Sequence, residues 1–231
     1  VSIAVIGVLM GLLLPTVSHV RESTRRIICQ SNLRQVGMGV AQYADENRDE
    51  LAPSVFYSPN LPDNGRELAQ MMTLRLGLGS DPMARWDGLG HLYDSFQLRA
   101  PEIFYCPSHS GDHAFQEYRQ DWAVDETEIV GNYHYRGVGP NGAKRLRSVE
   151  PVRAALVTDG LRTARDVNHR GGMNVLRADL SISWFTDHGG DIENMLAGTT
   201  TGEGTVNLVM GQIWRRIDRT ISGGGPLGGG Q

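Results

Sequence analysis

VSIAVIGVLMGLLLPTVSHV, residues 1–20, contains no Asp, Glu, Lys or Arg, and its only helix-breaking residue is Pro15. Three readings compete for such an opening: a signal peptide, a transmembrane helix, or one long helix that is both anchor and assembly element. Apart from Ser2, the run Val1–Leu14 is apolar. At ~1.5 Å per residue it reaches roughly 21 Å, against a hydrocarbon core of roughly 30 Å. A cleaved signal ends in a small-residue site soon after its apolar core. Here the pattern turns one-sided instead. Val17, Val20, Ile27, Ile28, Leu33, Val36, Val40 and Tyr43 recur at helical spacings, with Arg21, Glu22, Arg25, Arg26, Arg34 and Gln35 between them, the mark of an amphipathic helix. Pro15 loosens such a helix without ending it. The spacing predicts one helix of roughly 45 residues, about 70 Å long. The rest of the chain is too small to cover it, so part of it must meet lipid or other copies of itself.

Composition bounds the remainder. The 231 residues suffice for one large domain or two small ones, and 40% hydrophobic with 21% charged is ordinary globular usage. A net charge of −4, with basic and acidic residues mixed throughout, leaves no electrostatic footprint for nucleic acid. The tail, residues 222–231, is Gly-rich and reads as a flexible segment. Two cysteines, Cys29 and Cys106, fit either one disulfide or two buried thiols.

IAVIGVLMGLLLP, Ile3–Pro15, resembles the N-terminus of the type IV pilin and type II secretion pseudopilin superfamily. The resemblance implies about seven further leading residues, with a processing site and a Glu, which lengthen the apolar run to about 21, enough to span a bilayer. CQSNLRQVGMGVAQYADEN (Cys29–Asn47), WDGLGHLY (Trp86–Tyr93), FYCPSHS (Phe104–Ser110) and NHRGGMNVLRADLSISWF (Asn168–Phe185) resemble a narrower branch, prepilin-like proteins with a type II secretion protein G-like C-terminal domain of undetermined role. Arg21, Arg25 and Arg26 after the apolar run would place that end in the cytoplasm by the positive-inside rule. The resemblance implies the opposite orientation, with the head outside the cytoplasm.

Beyond Asn47, LAPSVFYSPNLPDNG (Leu51–Gly65) reads as a loop. GRELAQMMTLRLGLG (Gly65–Gly79) reads as a short helix stopped by its glycines, and a second short helix is expected over Gly88–Phe96. Extended segments are predicted at Glu102–Cys106, Ile129–Tyr135 and Ala154–Thr158. Asn174–Ala178 and Ser181–Thr186 alternate around Asp179–Leu180 as a hairpin. Thr205–Arg219 carries Val206, Val209, Ile213, Trp214 and Ile217 at helical spacing. The expected fold class is α+β: a long N-terminal helix (1–47) packed on a small antiparallel sheet within a globular head (48–221).

Several side-chain groups invite chemistry. In the oxidising compartment that the resemblance implies, a Cys29–Cys106 disulfide would pin head to helix. His109 and His113 follow Cys106 closely, but the second ligand pair usual for structural zinc is missing from that loop. Asp159, Asp179, Asp187, Asp191 and Glu193 lie in predicted loops near the C-terminal hairpin. They are calcium candidates against a default of solvated turn residues. His169 and Asp179, ten residues apart, come with no serine elbow, phosphate loop or HExxH, so no enzyme is expected. Asn168 and His169 read as bracing a turn that Gly171 and Gly172 permit. Trp86, Trp122, Trp184 and Trp214 read as core or lid aromatics.

The expected function is therefore a structural subunit of a pilin-like or pseudopilin filament. Val1, Ile3, Val5, Ile6, Gly7, Val8, Leu9, Gly11, Leu12, Leu13, Leu14 and Pro15 form its membrane and later filament-core segment, with Gly7 and Gly11 spaced for close helix approach. The resemblance implies methylation after leader removal and residence in a bacterial inner membrane, then in a periplasmic or surface filament. It also implies partners: other pilin-like subunits, a prepilin peptidase and an assembly platform. The alternative is a membrane-tethered extracytoplasmic binding module that never polymerises.

Overall fold

One helix runs from Ser2 to Glu46 (α1), 45 residues in all, with Pro15 inside it. The computed structural model describes residues 2–57, 68–77, 85–124, 127–169, 171–198 and 203–219, with side chains described from Val20 onward and, in the last helix, from Asn207. The expected membrane and filament-core side chains, Val1–Leu14 with Pro15, and the Gly-rich tail lie outside the described residues. Among those described, no helix is long and apolar enough to cross a membrane.

The head is mixed helix and antiparallel sheet. Tyr133–Tyr135 (β3), Ala155–Asp159 (β4), Gly172–Arg177 (β5) and Ile182–Thr186 (β6) form a four-stranded sheet in chain order. Thr73–Arg75 (β1) and Ile129–Val130 (β2) form a separate antiparallel pair. The hairpin expected around Asp179–Leu180 is present: Leu176 pairs with Ile182, and Leu180 takes φ 63 in the turn.

Alternation along β5 explains the layering. Met173 and Val175 join one apolar cluster with Phe185, Ile192, Ile213, Trp214 and Ile217, the face covered by Asp191–Ala197 (α4) and Glu203–Arg219 (α5). Leu176 joins the other cluster with Cys29, Leu33, Val36 and Val40 of α1. Both faces of β5 are therefore dry, and all six of its residues are buried. At Gly37 a Cβ would stand 2.9 Å from Leu176 Cδ1, so the glycine lets α1 lie close on the sheet.

Two expected elements are replaced. Where Gly65–Gly79 reads as a helix, the described part holds a 3-10 turn, Leu68–Gln70, and then β1. Thr73, Leu74 and Arg75 are all buried, and a short run buried on every side carries no period to separate strand from helix. Where Glu102–Cys106 reads as extended, Pro101–Phe104 is a 3-10 helix, because Pro101 supplies the fixed φ that suits a first turn. The expected helix at Gly88–Phe96 is Gly90–Asp94 (α2), and Phe115–Tyr118 (α3) is an additional short turn of helix.

The amphipathic stripe of α1 also divides. Cys29, Leu33, Val36, Val40 and Ala44 are buried, whereas Val20, Ile27, Ile28 and Met38 are exposed. At ~100° per residue, Val20, Ile27 and Met38 fall on one line opposite the buried set. The head thus covers one face of the helix and leaves these three apolar side chains exposed on the other, interspersed with Thr24, Ser31 and Arg34.

Candidate functional site

Asp159 ends β4 on the face turned toward α1, since it shares the parity of Val157, which belongs to the same core cluster as Cys29, Leu33 and Val36. Cys29 meets it from the helix, with Sγ 3.3 Å from Asp159 Oδ1. Cys106 follows the 3-10 turn at Pro101–Phe104, and His169 precedes β5; Cys106 Sγ lies 3.4 Å from His169 Nε2. The ligand-type atoms of Cys29, Cys106, Asp159 and His169 all lie within 4.8 Å of one another. Their residues are 0%, 3%, 0% and 3% exposed, so nothing large can reach the group from solvent.

An outer ring holds these side chains in place. His169 Nδ1 is 2.7 Å from Glu22 Oε1, and Glu22 Oε2 accepts from Ser108 Oγ at 2.9 Å. Glu22 lies seven residues before Cys29 and so on the same face of α1. Asn168 Nδ2 donates to Asp159 Oδ1 at 3.0 Å, and the Asn174 backbone N–H donates to Oδ2 at 2.9 Å. Tyr133 OH donates to Cys29 Sγ at 3.4 Å. Asn132 Oδ1 accepts from the Cys106 N–H at 2.5 Å, tying down the loop that presents the second sulfur.

Burial sets the electrostatics. It pushes the Cys29 thiol far up, helped by Cys106 and the Asp159 charge, and it pushes the Asp159 carboxyl up as well. Tyr133 rises for the same reason, with the two cysteines adding to it. Burial alone would lower the His169 imidazole. Cys29, Asp159 and Glu22 together outweigh it and hold His169 at about 9. The group is a dry box of anion-forming ligands facing one potential cation, an arrangement that favours a counter-charge among them.

Several expected groupings resolve differently. Cys29 and Cys106 are free thiols, so the expected disulfide is not formed, although the helix and head do meet at this pair. His109 does not join Cys106; its Nδ1 lies 2.7 Å from Asn168 Oδ1. His113 instead meets Tyr118 OH at 2.7 Å and Arg162 Nη1 at 2.9 Å. The calcium candidates do not converge. Asp159 faces the sulfurs, and Asp179 accepts from Ser181 N at 3.0 Å and meets Arg153. Asp187 accepts from the Ile192 N–H at 3.0 Å near the start of α4, and Asp191 pairs with Arg216. The His169–Asp179 pair is separated by the whole of β5, roughly 20 Å at ~3.3 Å per residue. Gly171, with φ 75, makes the turn into β5. At Gly172 a Cβ would lie 2.2 Å from Phe185 O, so that position needs glycine for strand approach. Trp122 and Trp214 are core aromatics, Trp86 packs at a tilt against Tyr93 and Trp122, and Trp184 carries the Arg26 guanidinium 3.2 Å above its ring.

No model of a known protein family, no curated protein and no solved structure matches this chain.

Three chemistries are open to such a cluster. A thiol–imidazole nucleophile needs access for a substrate, which the burial of Cys106 and His169 denies. A disulfide would use the two sulfurs and leave Asp159 and His169 without a role. Metal coordination uses all four side chains, and gives the outer ring the task that outer rings have around metals.

Proposed function

We propose that this protein is a pilin-like structural subunit, held in a bacterial inner membrane by the start of α1 before assembly and polymerising through that helix. The head faces outward in a periplasmic or surface filament. Other pilin-like subunits, a prepilin peptidase and an assembly platform are its partners. The carrying observation is three exposed apolar side chains in line on the free side of α1: Val20, Ile27 and Met38 are 59%, 64% and 59% exposed, opposite the side that docks on the head. An apolar line on the free side of an already docked helix calls for another covering surface, and a second copy of the same helix supplies one with matching length. The resemblance of Ile3–Pro15 to pilin N-termini supports the same reading.

Ile27→Glu tests it. The side chain projects away from the head, so head stability, read as Tm, is expected to stay within about 2 °C, while filaments seen by electron microscopy of expressing cells are lost. Leu208→Glu, at an exposed position of α5, serves as the control that keeps them. Filaments that persist in Ile27→Glu contradict the reading. Wild-type cells without filaments, yielding a monodisperse monomer in detergent, favour the tethered binding module instead.

A further inference from the structure

We propose that Cys29, Cys106, Asp159 and His169 form a closed tetrahedral site for zinc(II) that staples the N-terminal helix to the head. This inference stands on the cluster alone and is independent of whether the chain polymerises.

Distances come first. Metal–ligand bonds of ~2.3 Å to sulfur and ~2.0–2.2 Å to nitrogen and oxygen imply tetrahedron edges of roughly 3.3–3.8 Å, with sulfur–nitrogen and sulfur–oxygen edges of about 3.5 Å. The observed sulfur–oxygen and sulfur–nitrogen edges are 3.3 and 3.4 Å, and every pair lies within 4.8 Å. Loading therefore requires shifts of only a few tenths of an ångström along those edges.

Donor chemistry selects the metal. Two thiolates exclude a calcium or magnesium preference, because those ions take oxygen ligands. Two sulfurs, one imidazole nitrogen and one carboxylate oxygen are a borderline-soft set that suits zinc in four-coordinate geometry. Four protein ligands with no exposed side leave no open coordination position, so the site is structural and not catalytic.

The surroundings fit the same assignment. Glu22 holds His169 Nδ1–H, which turns Nε2 toward the sulfurs, as carboxylates do for metal-bound imidazoles. Asn174 N–H and Asn168 Nδ2 hold the Asp159 carboxylate, and Tyr133 OH remains free to bond the Cys29 thiolate. Binding displaces the proton of each thiol to solvent, and also those of Asp159 and His169 where they are protonated. Two thiolates and one carboxylate then face the dication, leaving a local charge of −1. The ligands come from four separate places: α1, the loop after Phe104, the end of β4 and the loop before β5. Holding all four with one ion ties the helix to three parts of the head.

The full chain, purified in detergent under reducing conditions, is titrated with zinc and its metal content measured by elemental mass spectrometry. One equivalent per chain is expected. Cobalt(II) in its place is expected to give thiolate charge-transfer absorption and the intense visible bands of a tetrahedral site. Chelation is expected to lower Tm by about 10 °C. Cys106→Ser and Asp159→Asn are expected to lose stoichiometric binding. Should either fail to fold, Glu22→Gln, at a half-exposed position, keeps the inference testable: zinc affinity is expected to fall 10- to 100-fold with secondary structure unchanged. No bound zinc, an octahedral cobalt spectrum, or a Cys29–Cys106 disulfide in alkylation mapping of the zinc-exposed protein would overturn it.

Discussion

His134 is fully buried on β3, with Nε2 donating to Leu68 O at 2.6 Å and Nδ1 unpartnered among the described residues. Burial lowers its pKa from 6.5 to about 4. The folded protein therefore resists a proton that the unfolded chain accepts, and stability falls as pH drops from about 6.5 toward 4. From pH 7.5 to 5 this residue is expected to cost about 2 kcal/mol, so denaturation curves of His134→Gln lose less stability over that interval than wild type. Parallel losses would contradict the assignment. Asp87 acts with the opposite sign: burial raises it to about 6, so its contribution is present below the unfolded value of 3.8 and lost as pH rises through 6. Being common to both proteins, it cancels in the comparison. The candidate site was only half legible at this scale. Cys29 and Cys106 stood out as a pair, and His169 as a residue of interest, but each histidine was matched to a neighbour in sequence. The true contacts join residues 130 and 63 positions apart, and local spacing carries no trace of them.

At the scale of elements, the two faces of α1 predict opposite responses to truncation. Leu33 is fully buried against the head, and Leu33→Ala is expected to lower head stability by about 3 kcal/mol in denaturant unfolding. Ile27→Ala, on the open face, is expected to change it by less than about 0.5 kcal/mol. Similar losses would mean that the head covers both faces. Gly90→Ala probes the seat of α2, where a Cβ would lie 1.8 Å from Leu74 O. A backbone carbonyl cannot swing aside, so a loss on the order of 3 kcal/mol is expected. Elements with a clear period were legible: the β5–β6 hairpin by its alternation, α5 by Val209, Ile213, Trp214 and Ile217. The helical stripe of α1 was visible too, but periodicity reports that residues are apolar, not which surface takes each. That division appeared only once the sheet was in place. β1 was hidden because its three residues are buried on all sides.

In the molecule as a whole, a four-stranded sheet lies between α1 on one face and α4 with α5 on the other, and α1 buries the side chains of Cys29, Leu33, Val36, Val40 and Ala44 against the head. The mixed helix-and-antiparallel-sheet class was legible from the order of segments. The separation of β1 and β2 into their own pair was not, since strand partnership is set by tertiary packing and not by local pattern. A docked helix that keeps a second apolar line free is the feature on which the functional reading turns. A photo-crosslinking amino acid at position 27, introduced in expressing cells, tests it most directly. The expected product is a ladder of covalent dimers and higher multimers of this chain, absent when the same group is placed at position 208 of α5. Crosslinks confined to lipid or to unrelated proteins, with no copy-to-copy product, would contradict assembly through this face.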